Sequence, residues 1–472
     1  MGPFFNRDSQ AATWHDTRVL DGDPVMTRAK IAGVVLVLLA FALAAGYRAL
    51  EHRVGPPAVV SSPTTTPETT TTPEIAGPHA GLLYGRVTTD DGAMYEGRLR
   101  WGGDEEALWG NHFNGFRDEN PWIAHAPPER RSIEVLGIEI AGWERQRNLG
   151  RPFMARFGDI ARIEPRGRAI RVTLKSGAVF VLDRFSADDL ADGLRVWDGT
   201  HGVVDLGERQ IRTIEFLPTS RLGGGPYPLH GTVRTRQGDF TGFVQWDQEA
   251  CVGSDALDGH TADGDLSLRF DTIRSIARRS RDSALVTLLQ GREIVLSGTR
   301  EVGSGNGGIY VDDPRYGRVL ISWDAFERVD FSEGGAGPAY DDFPPGRPLT
   351  GSVVTRSGRR LAGRLVYDLD ESETTETLDA PSQGVDYLIP FGLVASIVPT
   401  GLEERGVQRA RVTLNSGEVL QLERAGDLGE GNAGLLIFLD GRQRPEYVPW
   451  TDVEQVDLDH PPELYPPKGS GD

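Results

Sequence analysis

The stretch HGTVRTRQGDFTGFVQW, His230 to Trp246, decides the fold. Val233 and Thr235 alternate with polar residues up to Gly238, and a second alternating run leads to Trp246. Such a pattern predicts strand, turn, strand. A glycine at the turn supplies a positive φ, and the later Gly242 permits a bulge or sharp bend in the second strand.

The same pattern occurs twice more, as YGRVTTDDGAMYEGRLRW from Tyr84 and TGSVVTRSGRRLAGRLVY from Thr350. Each copy carries a first glycine (Gly85, Gly231, Gly351), a turn glycine (Gly92, Gly238, Gly358) and a third (Gly97, Gly242, Gly363). An aromatic then follows, at Trp101, Trp246 and Tyr367. A second block is also shared, opening at Phe157, Phe270 and Phe391 and running to a Val-Thr-Leu triplet at 172–174, 286–288 and 412–414. Copies two and three close alike, Ile321 to Phe331 matching Val448 to Leu458. Order, spacing and residue type agree across three copies, which establishes an internal repeat.

Each copy also divides in two. An aromatic followed at three-residue spacing by apolar positions closes the first half (Phe270, Ile273, Ile276) and then the second (Trp323, Phe326, Val329). Six units of about 50–60 residues are expected, a size at which a lone core is marginal and neighbours supply burial.

The unit resembles the small five-stranded barrels of the Sm-like and SH3-like group. The resemblance rests on the Val-x-Thr strand, the turn glycine, the bent Gly-x-Leu strand and a short Val319-Leu320-Ile321 strand before the closing Phe326 and Val329. It implies a mostly β fold of tandem small barrels, three double repeats over 82–217, 228–332 and 347–458. Sm-like proteins that hold RNA carry an Asp followed by Met-Asn or Phe-Asn in one loop and Arg-Gly in another. The matching loops here, Trp246-Asp-Gln-Glu-Ala and Ser322-Trp-Asp-Ala, lack them, so the RNA function is not carried over.

Around this body the composition is consistent. The 472 residues hold 69 acidic against 50 basic side chains, a net charge of −19 that argues against nucleic acid as partner. The single Cys251 excludes an intramolecular disulfide framework and Cys-rich metal centres. Ile31 to Gly46 is free of charge and follows Arg28 and Lys30. Its length lies between a signal-peptide core and a spanning helix, so 31–50 is read as a transmembrane helix or signal segment after an extension, 1–30. Ala42-Leu43-Ala44 offers a cleavage site, and Met26 an alternative start with a short basic leader. Residues 54–80 are Thr/Pro-rich and too polar to bury a core, which makes them a disordered tether; 459–472 is a disordered tail. The expected location is the cell membrane, single-pass with the body outside the cytoplasm, or secretion if the segment is cleaved.

Candidate sites are few. Acidic loops follow the first hairpins, at Asp104-Glu105-Glu106, at Asp247 with Glu249, and at Asp368 with Asp370 and Glu371. None has the alternate Asp, central Gly and distal Glu of a calcium loop, so they read as solvated loops that protect sheet edges. Copy one carries an insertion, 111–152, with His112 and His125; it and its approach hold Trp109, Trp122 and Trp143 as candidate partner or ligand contacts. Within it, Ser132 to Arg147 alternates early, as an added hairpin would. Gly303 to Gly308 precedes a strand and not a helix, which removes the phosphate-cradling geometry. No nucleophile elbow, zinc-binding His pair or Walker-type loop is present, and no cofactor or metal is expected. The sequence thus predicts a non-enzymatic, membrane-anchored envelope protein whose repeats bind a protein or surface polymer. An exported carbohydrate-binding or carbohydrate-active protein using the aromatic insertion is the alternative.

Overall fold

The computed structural model describes residues 79–459, apart from 103–104, 111, 118, 136–137, 146–150, 188–189, 191–192, 220–224, 400–402 and 405–406. Side chains of 129–145 and 403–407 are also outside the description. The expected extension and membrane or signal segment lie outside the described residues, as do the tether save for its last two residues and the tail save for Asp459. No helix among the described residues is long and apolar enough to cross a membrane.

The body is mostly antiparallel β structure, in three large sheets and one two-stranded sheet. Copy two defines the repeat. Its strands are β1 (His230–Thr235), β2 (Gly238–Gln245), β3 (Ala256–Thr261), β4 (Gly264–Arg269), β5 (Ile273–Ser280), β6 (Ser283–Leu288), β7 (Glu293–Ser297), β8 (Ile309–Asp313), β9 (Gly317–Ile321) and β10 (Phe326–Phe331). Copy one carries the same ten from Tyr84–Thr89 to Ile211–Phe216, and copy three from Thr350–Thr355 to Val453–Leu458. In each, a short 3-10 turn opening on a buried phenylalanine (Phe157, Phe270, Phe391) leads into β5. The recurring aromatic and the apolar residues three apart are therefore one turn plus the start of one strand, all directed into the core.

The two halves of a copy do not fold side by side. The sheet of copy two runs β4-β3-β7-β6-β5-β10-β1-β2-β8-β9, and copy one repeats that order. It is symmetric about the β5–β10 junction. On one side the β1–β2 hairpin of the first half pairs with β10 and β8 of the second, and β9 follows on β8. On the other, β6 and β7 pair with β5 and β3, and β4 follows on β3. Each five-strand block thus takes strands from both halves, a departure from the expectation of contiguous half-units. The physical reason lies in the register: β10 pairs with β1 (Val233↔Val329) and also with β5 (Ile276↔Val329), placing three apolar residues in one row. All three are fully buried.

The repeated glycines have distinct reasons. A Cβ on Gly97, Gly242 or Gly363 would stand 1.9, 1.9 or 2.2 Å from the carbonyl oxygen of Trp197, Asp312 or Phe438, on the β8 strand crossing β2. One on Gly85, Gly231 or Gly351 would meet the β10 backbone at 2.4, 2.6 or 2.1 Å. The turn glycines have positive φ (Gly92 87°, Gly358 78°) and open space around them.

The insertion of copy one is shorter than its sequence suggests. His112–Arg117 and Arg151–Arg156 pair with each other and occupy the β3 and β4 positions of the sheet. Only the chain between them is extra, and its core is the hairpin of Glu129–Val135 with Ile138–Arg145. The copies also join one another. Copy three lends its β3–β4 hairpin (Thr377–Ser382, Val385–Pro390) to copy two, whose β9 pairs with it through Arg318↔Leu388 and Leu320↔Asp386. Copy one shares its core with Cys251, Val252, Tyr340 and Phe343.

Candidate functional site: a cleft where the three copies meet

Alternation along the joined strands gives one face a row of chemistry-bearing residues. In β8 and β9 of copy two, Tyr310 pairs with Leu320 and Asp312 with Arg318. Across the joint, Leu320 and Arg318 oppose Asp386 and Leu388, which in turn oppose Pro381 and Asp379. Copy one covers this face with His112 and Asn114, which pair with Arg156 and Met154. Between them lies a cavity of about 330 Å³, lined on all three sides of the junction by His112, Asn114, Tyr310, Arg318, Asp379 and Asp386 among others.

Arg318 is the buried anchor. Its Nη1 donates to the Gly110 carbonyl at 2.8 Å and meets His112 Nδ1 at 2.6 Å, while Nη2 donates to Gln245 Oε1 at 3.2 Å. The guanidinium lies 3.5 Å from the centre of the Tyr310 ring. Because arginine only donates, His112 Nδ1 must accept, which puts the imidazole proton on Nε2. Burial and the charges of Arg318 and Arg156 hold His112 well below the usual imidazole range. It is a neutral N–H donor facing the cleft.

The opposite wall is acidic. Burial pushes Asp379 up to about 6, with the Asp386 and Asp370 charges adding to the effect, although Thr377 Oγ1 donates to it at 3.0 Å. Asp386 is also raised, by burial and by the Glu423 charge. Below the cleft, burial raises Asp312 to about 6 despite Arg156 and Arg318.

The residues singled out from sequence fall elsewhere. Trp109 is 2% exposed and stacks on Phe243 of copy two, ring centres 4.9 Å apart. Trp122 meets Phe438 of copy three edge-on and lies 5.5 Å from the Arg364 guanidinium. His125 also lies against Phe438. Trp143 lies on Ile138–Arg145, and its side chain is outside the description. Two of the three tryptophans therefore join copy one to its neighbours. Nearby, Arg117 bridges to Glu376 at 2.9 Å and Arg151 to Asp370 at 2.5 Å.

The acidic loops are built into the fold instead of being merely solvated. Asp247 and Gln248, and likewise Asp368 and Leu369, take positive φ in a tight turn closed by Trp246↔Ala250 and Tyr367↔Glu371 bridges. Asp247 accepts the Gly307 N–H at 2.5 Å, and Asp368 accepts that of Ala433. The glycine-rich segment 303–308 is thus pinned by Asp247 and by Asn306, which caps Gly308 N–H at 2.8 Å. Among the described residues no group of three or more His, Cys, Asp or Glu is arranged to hold a metal ion. Cys251 is buried with its thiol pushed well up by burial, as a packing residue would be.

Sequence reasoning missed Arg318, Asp379 and Asp386. A signal existed: Arg318 sits at the head of the apolar Val319-Leu320-Ile321 run, where copy one has Val203. No protein-family model, curated protein or solved structure matches this chain.

Proposed function

We propose that this chain is a non-enzymatic envelope protein, held by its N-terminal apolar segment and displaying its β body outside the cytoplasm to bind a protein or surface polymer. The observation that carries the binding reading is the cleft at the three-copy junction. A preformed concavity with a few converging polar groups is the usual setting of a ligand site. The location rests on the uncharged run from Ile31 and the Thr/Pro-rich tether after it. The net charge of −19 disfavours nucleic acid as the partner. Each five-strand block is a small barrel of the SH3-like or Sm-like kind in this reading. Its order β10-β1-β2-β8-β9 sets the closing strand beside the opening one, and the apolar faces share one core.

The test is fractionation of cells making the full chain, with protease added to the outside. The body is expected in the membrane fraction or the medium and open to the protease. A body in the cytosol, protected from it, would overturn the reading. The carbohydrate alternative gains from no observation at Trp109 and Trp122, whose rings are taken up by contacts within the chain.

A further inference from the structure

The cleft has two chemically different ends and a size that limits what it takes. At about 330 Å³ it is at the small end of ligand pockets, which span roughly 300–1,000 Å³. That is room for a small molecule or one group of a larger one, and too little for a folded element. One end offers His112, 6% exposed, whose Nε2 has no hydrogen bond among the described residues while Nδ1 is committed to Arg318. The Arg318 charge behind it favours an oxygen or a negative group there. The other end offers Asp379 and Asp386 on one face of a hairpin, diagonal neighbours in register. Neither forms an ion pair among the described residues. Asp379 is half-buried and Asp386 exposed at the rim, and two carboxylates on one face of a hairpin favour a cation between them.

Resting on the reading of the body as a binding module, we propose that this cleft holds a basic amino acid, free or borne on a peptide. Its ammonium or guanidinium group lies between Asp379 and Asp386, and a carbonyl or carboxylate oxygen accepts the Nε2–H of His112. Asn114 and Tyr310 also line the cleft. An acidic or neutral molecule of the same size leaves both carboxylates uncompensated and is rejected by charge.

The experiment is calorimetric titration of the purified full chain in detergent at pH 7.5. The probes are L-arginine, L-lysine, an alanine–arginine–alanine tripeptide, L-glutamate and N-acetylglucosamine. The basic probes are expected to bind with a Kd of about 1 mM or tighter, and the other two not to bind. Whichever of the free and peptide-borne forms binds more tightly names the source. Asp386→Asn, at an exposed position that does not hold the fold, should weaken arginine about tenfold, as should Asp379→Asn; circular dichroism checks that both remain folded. Glutamate binding as tightly as arginine, silence from all basic probes, or indifference to Asp386→Asn would overturn the proposal. Cell fractionation reads the location separately, so failure of the cleft and failure of envelope display are distinguishable.

Discussion

Replacing Gly242 by alanine tests the closest backbone approach in the repeat. The added Cβ would sit 1.9 Å from the Asp312 oxygen and 2.7 Å from its carbonyl carbon. Neither atom can rotate away, because both belong to the β8 ladder through Phe243↔Asp312 and Val244↔Val311. Relief requires β2 and β8 to part by more than about 1 Å, given ordinary carbon contacts of about 3.5 Å. Overpacking of this kind costs about 1–3 kcal/mol, and a lost ladder hydrogen bond about 1 kcal/mol more. The total is about 3 kcal/mol. Gly291→Ala is the control: its φ of 86° strains an alanine, but nothing lies within 4 Å, so about 1 kcal/mol is expected. Urea unfolding followed by tryptophan fluorescence compares the two. Equal losses in Gly242→Ala and Gly291→Ala would refute the close-approach argument, since only strain at the glycine itself would then remain.

Three further outcomes follow from the buried charges and joints. Burial raises Glu301 to about 7, helped by the Asp258, Asp247 and Glu249 charges. The folded chain therefore binds this proton more tightly than the unfolded one, so its stabilising effect is full below about pH 4.5 and is lost as pH rises toward 7. Glu301→Gln should remove about 2 kcal/mol of that decline, allowing for partial solvent screening, as read from unfolding free energies at pH 5 and 8. Arg117→Ala removes the ion pair of Glu376, 9% exposed, which keeps only the backbone N–H groups of Ser372 and Glu373, and should cost about 3 kcal/mol; hydrogen exchange should accelerate across both His112–Arg117 and the facing loop of copy three. Trp122→Ala removes the contacts to Phe438 and Arg364, at about 1–3 kcal/mol by the same unfolding assay; no change would mean that this contact does not join the copies.

What the sequence revealed divides along the range of the interactions. Strand and turn were legible from Val233 to Trp246 because alternation and turn glycines are local signals. The Phe270–Ile273–Ile276 spacing marked the element that closes the half for the same reason, but not that its phenylalanine opens a 3-10 turn. The pairing of β1 with β10 was not legible, since β5 and β10 carry nearly the same apolar pattern and either could lie beside β1. The insertion hid two true repeat strands because Arg117 and Arg151 are separated by a hairpin that the other copies lack. The cleft was least legible. Arg318, His112 and Asp379 come from three copies and meet only through the joint between β9 of copy two and Val385–Pro390.

The exchange of strands between halves is tested most directly by cysteine crosslinking across Arg234, Arg328 and Ala277, which form one row on β1, β10 and β5. Neighbouring strands are about 4.8 Å apart, so a disulfide spans one gap and not two. In a chain with Cys251 replaced by alanine, Arg234→Cys with Arg328→Cys should oxidise to a disulfide identified by peptide mass spectrometry, and Arg234→Cys with Ala277→Cys should not. A 234–277 disulfide in the absence of a 234–328 one would place β1 beside the closing strand of its own half and contradict the account.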